Sequence, residues 1–435
     1  MDWRKEFANK IVSADEAVSH VQSGDRVVFT HACGESQVLT DALVKYAAYL
    51  ENVEIIHMVA MGTAPYCQPG MEKHFHHNAL FVGGSTRKAV ESGQADYTPC
   101  FFHEAPKFFR EGVIPVDVVF LQLSEPDEDG NCSYGISVDY TQPAAEVAML
   151  KIAQINKNMP FTYGNSINLK DIDYIVEKDE PLIELQPPKI GETEQKIGEY
   201  VASLIHDGDT LQLGIGAIPD AVLSFLGDKK DLGIHSEMFS DGVVDLANKG
   251  VITNEKKTLD PGKFVSCFLM GTKKLYDFVD HNPDVLIKPV DYTNDPFVVA
   301  QIDNIVSINS AMQVDLMGQV NAEMIGSRQF SGVGGQVDFV RGASRAKGGR
   351  AIIAMPSTAG HGKISKIVPL LDEGAAVTTS RNDVDYIVTE FGIASLKGKT
   401  LRQRARALIN IAHPAFRESL IKVFEERFHC KFDED

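Results

Sequence analysis

Residues 207–219 read DGDTLQLGIGAIP, and this stretch decides the fold. Its first three letters form a turn, the segment Leu211–Leu213 has the apolar character and length of a buried strand, and the glycines that follow end it. Asp220 is expected to cap a helix over residues 221–225, because its carboxylate can accept hydrogen bonds from a first helical turn. A strand, a glycine-containing loop and a helix in this order are typical of an α/β protein.

The same order of elements occurs near the start of the chain. Gly24-Asp25 corresponds to Gly208-Asp209, and Val38-Leu39 corresponds to Val222-Leu223. The chain therefore contains two copies of one unit, in the order helix, strand, loop, helix, strand. We predict an α/β fold of two similar Rossmann-like domains with mostly parallel sheets. Chance likeness is the alternative, because all such units share hydrophobic spacing.

A proline-rich segment separates the two copies. Residues 181–190 read PLIELQPPKI, a composition that favours an extended linker over a packed element. We predict an N-terminal domain over residues 1–188 and a C-terminal domain over residues 189–435. The second domain is expected to end in an amphipathic helix over residues 402–427, which Pro414 interrupts.

The composition of the whole chain excludes several classes of protein. Sixty Asp and Glu residues outnumber 42 Lys and Arg residues, and the formal charge of −18 makes nucleic acid an unfavourable partner. Six cysteines without a CxxC pair favour reduced thiols over a zinc framework. The cluster His74-Phe-His-His77 fits no zinc spacing and is interpreted as a polar surface turn, so we predict no bound metal. The short apolar runs and the charged N-terminus predict a cytoplasmic protein without a membrane span.

Two glycine-containing loops are candidates for binding a ligand. Residues 214–219, GIGAIP, can present backbone N–H groups and the positive end of a helix dipole to a phosphate. A tight turn is the alternative, because Pro219 occupies the position where the Rossmann spacing GxGxxG requires its last glycine. Residues 330–343, FSGVGGQVDFVRGA, contain three closely spaced glycines that argue against a strand. Such a loop can direct N–H groups at an oxyanion, and a flexible turn is again the alternative.

Glu237 follows the expected strand Gly233–His235. If that strand is central in a parallel sheet, Glu237 faces the crevice where such sheets bind ligands. A metal ligand, a general base, a nucleophile and an ion-pair partner are all open interpretations of this carboxylate. The polar residues His31, Gln212 and Gln336 near strand ends are candidates for holding a substrate carboxylate, or they are satisfied inside the protein.

Several motifs taken together resemble one family. They are Gly214–Pro219, residues 235–242 (HSEMFSDG) and residues 331–339 (SGVGGQVDF), and the likeness extends from the MDW opening to residues 405–414 (ARALINIAHP). Over essentially its whole length the chain is similar to the acetyl-CoA hydrolase/transferase group of the family I coenzyme A-transferases. The resemblance implies two α/β domains of similar fold with the active site between them.

The resemblance also implies roles for individual residues. Glu237 is implied to be the nucleophile, which carries CoA as a glutamyl thioester in a ping-pong reaction. The amides of Gly334 and Gly335 are the candidates for stabilising the oxyanion. The implied CoA site consists of Gly214, Ile215, Gly216, Ala217, Ile218, Met312, Gly335 and Lys363.

The implied reaction transfers coenzyme A between short-chain acids such as acetate, butyrate and 4-hydroxybutyrate. Its partners are acyl-CoA and free carboxylates, and no cofactor is held permanently. Because the carrier is itself a carboxylic acid, the thioester energy is conserved and neither ATP nor a metal is required. Hydrolysis of acyl-CoA through the same glutamate is the first alternative. A CoA-binding module without turnover is the second, although it has no need for Glu237. We expect a homodimer or a higher homo-oligomer.

Overall fold

The computed structural model describes residues 2–433. Its helices are α1 (Trp3–Glu6), α2 (Ala14–Val18), α3 (Gln37–Lys45), α4 (Arg87–Ser92), α5 (Ala105–Arg110), α6 (Thr141–Val147), α7 (Glu192–Ser203), α8 (Ala217–Ser224), α9 (Asp241–Asn248), α10 (Lys273–Val279), α11 (Val290–Thr293), α12 (Pro296–Val299), α13 (Gln336–Arg345), α14 (Leu401–Asn410) and α15 (Pro414–Phe428). Within residues 2–433, none of them has both the length and the apolar character that a membrane span requires.

The strands alternate with these helices along most of the chain. They are β1 (Arg26–Phe29), β2 (Val53–His57), β3 (Phe75–Ala79), β4 (Ala95–Tyr97), β5 (Val118–Leu123), β6 (Asn131–Cys132), β7 (Leu150–Ile155), β8 (Ile167–Asn168), β9 (Tyr174–Glu177), β10 (Thr210–Leu213), β11 (Gly233–Ile234), β12 (Phe264–Ser266), β13 (Val285–Ile287), β14 (Ile305–Asn309), β15 (Gln313–Asp315), β16 (Val320–Asn321), β17 (Met324–Ile325), β18 (Arg328–Gln329), β19 (Arg350–Ala354), β20 (Thr358–Ala359), β21 (Ile364–Ser365), β22 (Ile367–Val368), β23 (Tyr386–Thr389) and β24 (Gly392–Ser395).

The chain divides into two units by its internal contacts. The first unit contains the described residues up to Gln186 with residues 237–241 and 264–293, and the second contains residues 187–236, 242–263 and 294–433. The predicted boundary, a single crossing after residue 188, differs from this division, because later segments return to the first unit and bring Glu237 with them. The cause is main-chain hydrogen bonding, since the N–H groups of Val138 and Asp139 both donate to the carbonyl of Cys267, at 3.0 and 3.1 Å.

The first unit is built on a seven-stranded sheet in the order β4-β3-β2-β1-β5-β7-β9. All of its neighbouring strands run parallel. Strand β1, which the sequence predicts at residues 27–29, lies in the middle, and β5 is buried along its whole length. Helices on the sheet complete a core of apolar side chains that includes Val27, Leu39 and Phe120, as the burial of a parallel sheet requires.

The second unit is built on a six-stranded sheet in the order β11-β10-β14-β19-β23-β24. Five strands are parallel and only β24 is antiparallel, so the prediction of mostly parallel sheets in two α/β units is confirmed. The condition on which Glu237 would face the crevice of the sheet, a central strand before it, is not met. Strand β11 has two residues and pairs only with β10, at the edge of the sheet.

The C-terminal helical region agrees with the sequence prediction. Helix α14 ends at Asn410, and Pro414 is the first residue of α15. Proline is harmless at that position, because the first turn of a helix has no acceptor for its missing N–H. A single proline therefore divides the predicted helix into two.

The histidine-rich segment is a strand, so its interpretation as a surface turn is wrong. His77 lies in the middle of β3, where it pairs with Ile55 and Ala95 between two neighbouring strands. The side chain is buried, and its Nδ1 lies 3.1 Å from the carbonyl oxygen of Ile55. Burial lowers the pKa of His77 from 6.5 to about 4.

We therefore expect acid to destabilise the protein through His77. Between pH 6.5 and 4 the unfolded chain binds a proton at this position that the folded chain does not, so stability falls as pH falls, by on the order of 3 kcal/mol. His77→Asn keeps a donor to the Ile55 carbonyl and removes the titration. Its melting temperature should drop less than that of the wild type between pH 7.5 and 5, and equal drops would contradict this account.

Candidate active site

Glu237 is held in place through its main chain. Its carbonyl oxygen accepts hydrogen bonds from the N–H groups of Cys267 at 3.1 Å and Phe268 at 3.3 Å, and from the hydroxyl of Ser266 at 3.0 Å. The residue is half-buried, and it stands three positions after the end of β11. The loop that carries the carboxylate is therefore anchored in the first unit by β12 and the residues that follow it.

The first unit brings His31 to the same segment. His31 lies two residues after β1 and is buried, with its imidazole centroid 4.5 Å from that of Phe268. Because the N–H of Phe268 donates to the Glu237 carbonyl, one residue contacts both predicted site residues. The carboxyl end of β1, close to the anchor of Glu237, is thus where this unit combines a carboxylate and an imidazole.

Asp139 and Ser137 complete the surroundings of His31, and sequence reasoning missed both. His31 Nδ1 lies 3.2 Å from Asp139 Oδ2, and the N–H of His31 donates to Ser137 Oγ at 3.2 Å. The two partners are more than 100 positions away along the chain. No motif or periodicity links them to His31, so nothing in the sequence could have found them.

The predicted CoA loop opens onto free space in the second unit. A Cβ placed on Gly214 or Gly216 would meet no other atom within 4 Å. Gly216 has φ +115° and ψ −177°, a conformation that is essentially restricted to glycine. The backbone of this loop can therefore be approached closely by a ligand.

The helix after this loop begins earlier than the sequence predicts. Helix α8 starts at Ala217, with Gly216 as its N-cap, so Asp220 lies in the first turn and is not the cap. Pro219 fits in that turn, where its missing N–H costs nothing. The predicted CoA residues Ala217 and Ile218 consequently supply first-turn N–H groups, which favour an anion.

The second glycine-containing segment is a loop that continues as a helix. Gly334 has φ +53° and Gly335 is the N-cap of α13, so residues 336–343 are helical and the expectation of a loop is wrong for them. The sequence analysis missed this helix because the three glycines before it indicate a loop. Its buried face is formed by Val337 and Phe339–Val340. The N–H groups of the two glycines still lie where a helix begins.

The two predicted substrate amides are already engaged inside the second unit. Gln212 Oε1 accepts from Ser307 Oγ at 2.7 Å and from Asn309 Nδ2 at 3.0 Å. Gln336 Nε2 donates to the Ser310 carbonyl at 2.6 Å, and its Oε1 accepts from a threonine hydroxyl. Both residues therefore fit the alternative of internally satisfied groups, and their contact with substrate stays a prediction.

The two remaining predicted CoA contacts differ in how firmly they are held. The N–H of Met312 donates to the Asn321 carbonyl at 2.8 Å next to β15, whereas Lys363 is exposed at the turn between β20 and β21. Nearby Lys366 is half-buried, and burial lowers its pKa from 10.5 to about 8, although the charge of Glu390 opposes that shift. Lys363 is exposed, and its contact with CoA stays a prediction.

Known proteins share both this fold and this sequence. The model of the acetyl-CoA hydrolase/transferase N-terminal domain matches residues 1–186, and that of the C-terminal domain matches residues 271–424. A 4-hydroxybutyrate coenzyme A transferase of Clostridium kluyveri is 65% identical over 98% of this chain and 100% of its own. A butyryl-CoA:acetate CoA-transferase of Anaerostipes caccae is 39% identical over 98% of both chains.

A solved structure supports the same assignment. The crystal structure of 4-hydroxybutyrate CoA-transferase from Porphyromonas gingivalis is 46% identical and superimposes with a TM-score of 0.86, covering 98% of this chain and 100% of that one. The two α/β units with mostly parallel sheets are the fold of CoA-transferases. The chain belongs to the acetyl-CoA hydrolase/transferase family.

Proposed function

We propose that this enzyme transfers coenzyme A between short-chain carboxylic acids through a thioester on Glu237. The observation that carries the proposal is the 65% identity with a 4-hydroxybutyrate coenzyme A transferase over nearly the whole of both chains. The substrates are acetyl-CoA with 4-hydroxybutyrate or butyrate, and the products are acetate and the corresponding acyl-CoA. The enzyme holds no cofactor or metal of its own, and it acts as a homodimer.

The reaction proceeds by covalent catalysis. The Glu237 carboxylate attacks the thioester carbonyl of acyl-CoA, which forms a mixed anhydride and releases CoA as its thiolate. The thiolate then attacks the glutamyl carbonyl, which forms the glutamyl-CoA thioester and releases the first acid. The second acid attacks that thioester and the same steps run in reverse, so one thioester is consumed and one is formed in each half-reaction, and the thioester energy is conserved.

The remaining predicted site residues bind CoA and stabilise the oxyanion. The amides of Gly334 and Gly335 donate to the oxyanion of each tetrahedral intermediate, a contribution of about 3–4 kcal/mol for one well-directed donor. Gly214 to Ile218, Met312 and Lys363 bind CoA. Its phosphates require local amides and a lysine, because the protein as a whole is strongly acidic.

Trapping tests the covalent step. Incubation with butyryl-CoA followed by borohydride is expected to reduce the glutamyl thioester and to change the mass of the peptide that contains Glu237. An unmodified Glu237 peptide in enzyme that turns over normally would exclude the mechanism. Glu237→Gln treated in the same way is the matched control, because it lacks the nucleophile but keeps the backbone.

Hydrolysis is the second candidate function, because the family contains both activities. The two are separated by following butyryl-CoA as acetate is added. A transferase forms acetyl-CoA in proportion to the butyryl-CoA consumed, with little free CoA. Release of free CoA at the same rate with and without acetate, and no acetyl-CoA, would establish hydrolysis instead.

A further inference from the structure

Strand β11, which precedes the proposed nucleophile, pairs with β10 through a regular parallel ladder of main-chain hydrogen bonds. The N–H of Gly233 donates to the Asp209 carbonyl at 2.9 Å, and the N–H of His235 donates to the Leu211 carbonyl at 3.2 Å. Such bonds recur every second residue along both strands. The next one would join the N–H of the nucleophile to the carbonyl of Leu213, and it would hold the nucleophile in the sheet.

A side chain takes the place of that next bond. Ser236 Oγ donates to the Leu213 carbonyl at 3.1 Å, and it accepts a hydrogen bond from the Leu213 N–H, also at 3.1 Å. Ser236 and Leu213 are both buried, and buried main-chain groups require partners. One hydroxyl therefore satisfies both ladder groups of Leu213, so that the chain leaves the sheet just before Glu237 without leaving them unpaired.

The outer edge of β11 is also held by side chains. The N–H of Ile234 donates to Asn254 Oδ1 at 2.8 Å, and the Ile234 carbonyl accepts a hydrogen bond from Lys257 Nζ at 2.8 Å. Asn254 and Lys257 are buried. The segment is thus fixed on both of its edges as far as Ser236, which is the last residue of the second unit before the chain enters the first.

We propose, resting on the function above, that Ser236 is a positioning residue whose hydroxyl ends the ladder and so places the Glu237 carboxylate for attack on the thioester. The Glu237 carbonyl is already held by three donors, and Ser236 fixes the main chain on the amino side. The hydroxyl has a single proton to donate, which the Leu213 carbonyl accepts, so Ser236 acts through Glu237 and not on the substrate.

Loss of the hydroxyl is expected to displace the nucleophile and to leave the CoA loop in place. Strand β10 pairs with β14 from Thr210 to Leu213, so Gly214 keeps its support. Strand β11 has only two residues and pairs with one strand of its sheet. Without the hydroxyl, the buried N–H and carbonyl of Leu213 compete for the main chain of residues 235 and 237, because an unpaired group is costly. That competition draws Glu237 towards β10.

Two variants of the same shape isolate the hydroxyl. Ser236→Thr keeps it, and Ser236→Val replaces it with a methyl group. In a single turnover with butyryl-CoA, we expect the Glu237 adduct trapped by borohydride to form about tenfold to a hundredfold more slowly in Ser236→Val than in Ser236→Thr, because a displacement of about 1 Å costs on the order of 10²-fold. The Kd for CoA, measured by calorimetry, should agree within about twofold.

Ser236→Ala repeats the test without added volume. It should trap Glu237 about tenfold to a hundredfold more slowly than the wild type, again with an unchanged Kd for CoA. This variant decides the matter if the extra methyl group prevents the threonine and valine variants from folding.

Thr389→Val is the matched control for a general loss of stability. The Thr389 hydroxyl is also buried, donates to the Ile411 carbonyl at 2.6 Å and accepts from the Phe391 N–H at 3.1 Å. It belongs to β23, three strands away from β10 in the same sheet. Thr389→Val and Ser236→Ala should therefore lower the melting temperature by a similar few degrees, but Thr389→Val should trap Glu237 at the wild-type rate.

The outcomes distinguish this proposal from the function on which it rests. A wild-type trapping rate in folded Ser236→Ala, or equal rates in Ser236→Thr and Ser236→Val, would overturn the role of Ser236 and leave the transferase standing. An equal slowing in Thr389→Val, or a loss of CoA affinity as large as the loss of rate, would also overturn it. Absence of the Glu237 adduct in the wild type would instead refute the covalent mechanism.

Discussion

Glu237→Gln is expected to lower kcat for CoA transfer by about 10⁴-fold, which is the largest effect of any substitution considered for this enzyme. The amide is a poor nucleophile, and it cannot form the anhydride through which the acid and CoA are exchanged. The fold should be unaffected, because the carbonyl of residue 237, which Ser266, Cys267 and Phe268 hold, is the same in the variant. Initial rates of acetyl-CoA formation from butyryl-CoA and acetate measure the loss.

Glu237→Asp refines this test. The aspartate keeps the nucleophile but withdraws it by one methylene, and a misplacement of about 1 Å costs on the order of 10²-fold in rate. We therefore expect intermediate activity, with KM values close to those of the wild type. Equal activity of the Gln variant and the wild type would show that Glu237 is not the nucleophile, whatever the binding loops do.

The second large effect is expected at the glycines before α8. Gly214→Ala adds a methyl group into open space at an ordinary backbone conformation, so the folded protein without CoA should be as stable as the wild type. If CoA passes over this backbone, the methyl group obstructs it, and the KM for acyl-CoA should rise about tenfold to a hundredfold. The KM for acetate should not change.

Two further glycines make the interpretation of this result unambiguous. Gly216→Ala adds backbone strain of about 1–3 kcal/mol at φ +115°, so it should lower the melting temperature as well as weaken CoA binding. Gly227→Ala is the matched control, because its Cβ also meets nothing within 4 Å but it lies beyond the end of α8. An unchanged KM for acyl-CoA in Gly214→Ala would exclude this loop from the CoA site.

The sequence predicted the fold well wherever the hydrophobic pattern agreed with the positions of glycines, prolines and other turn-forming residues. Strands β1 and β10 lie where the repeat indicates, and Pro414 divides the last helix as expected. The predictions failed where glycines or polar residues outweighed the apolar periodicity of a helix or a strand. Three glycines hid helix α13, and the polarity of residues 74–77 hid a buried strand, because the partner strands that bury His77 are not visible locally.

The candidate site also has features that the sequence predicts and features that it does not. The motifs around Gly214, Glu237 and Gly335 are local, so they identify the family from the sequence alone. The ends of their elements are less certain: Asp220 was expected to be a cap because aspartate suits that position, but Gly216 occupies it. Likewise, Gln212 and Gln336 were equally consistent with substrate contacts until their hydrogen bonds to neighbouring side chains and carbonyls were known.

The sequence by itself determined the repeated α/β architecture and the family, because both depend on short segments and their spacing. The nucleophilic role of Glu237 stays a prediction that follows from the family resemblance. Only the tertiary structure decided that residues 237–241 belong with the first unit and that Asp139 lies against His31. Both facts arise from hydrogen bonds between residues that are distant in the chain, such as those from Cys267 and Phe268 to the Glu237 carbonyl. Such pairs leave no periodicity in the sequence, because the geometry that joins them exists only after the sheet has formed.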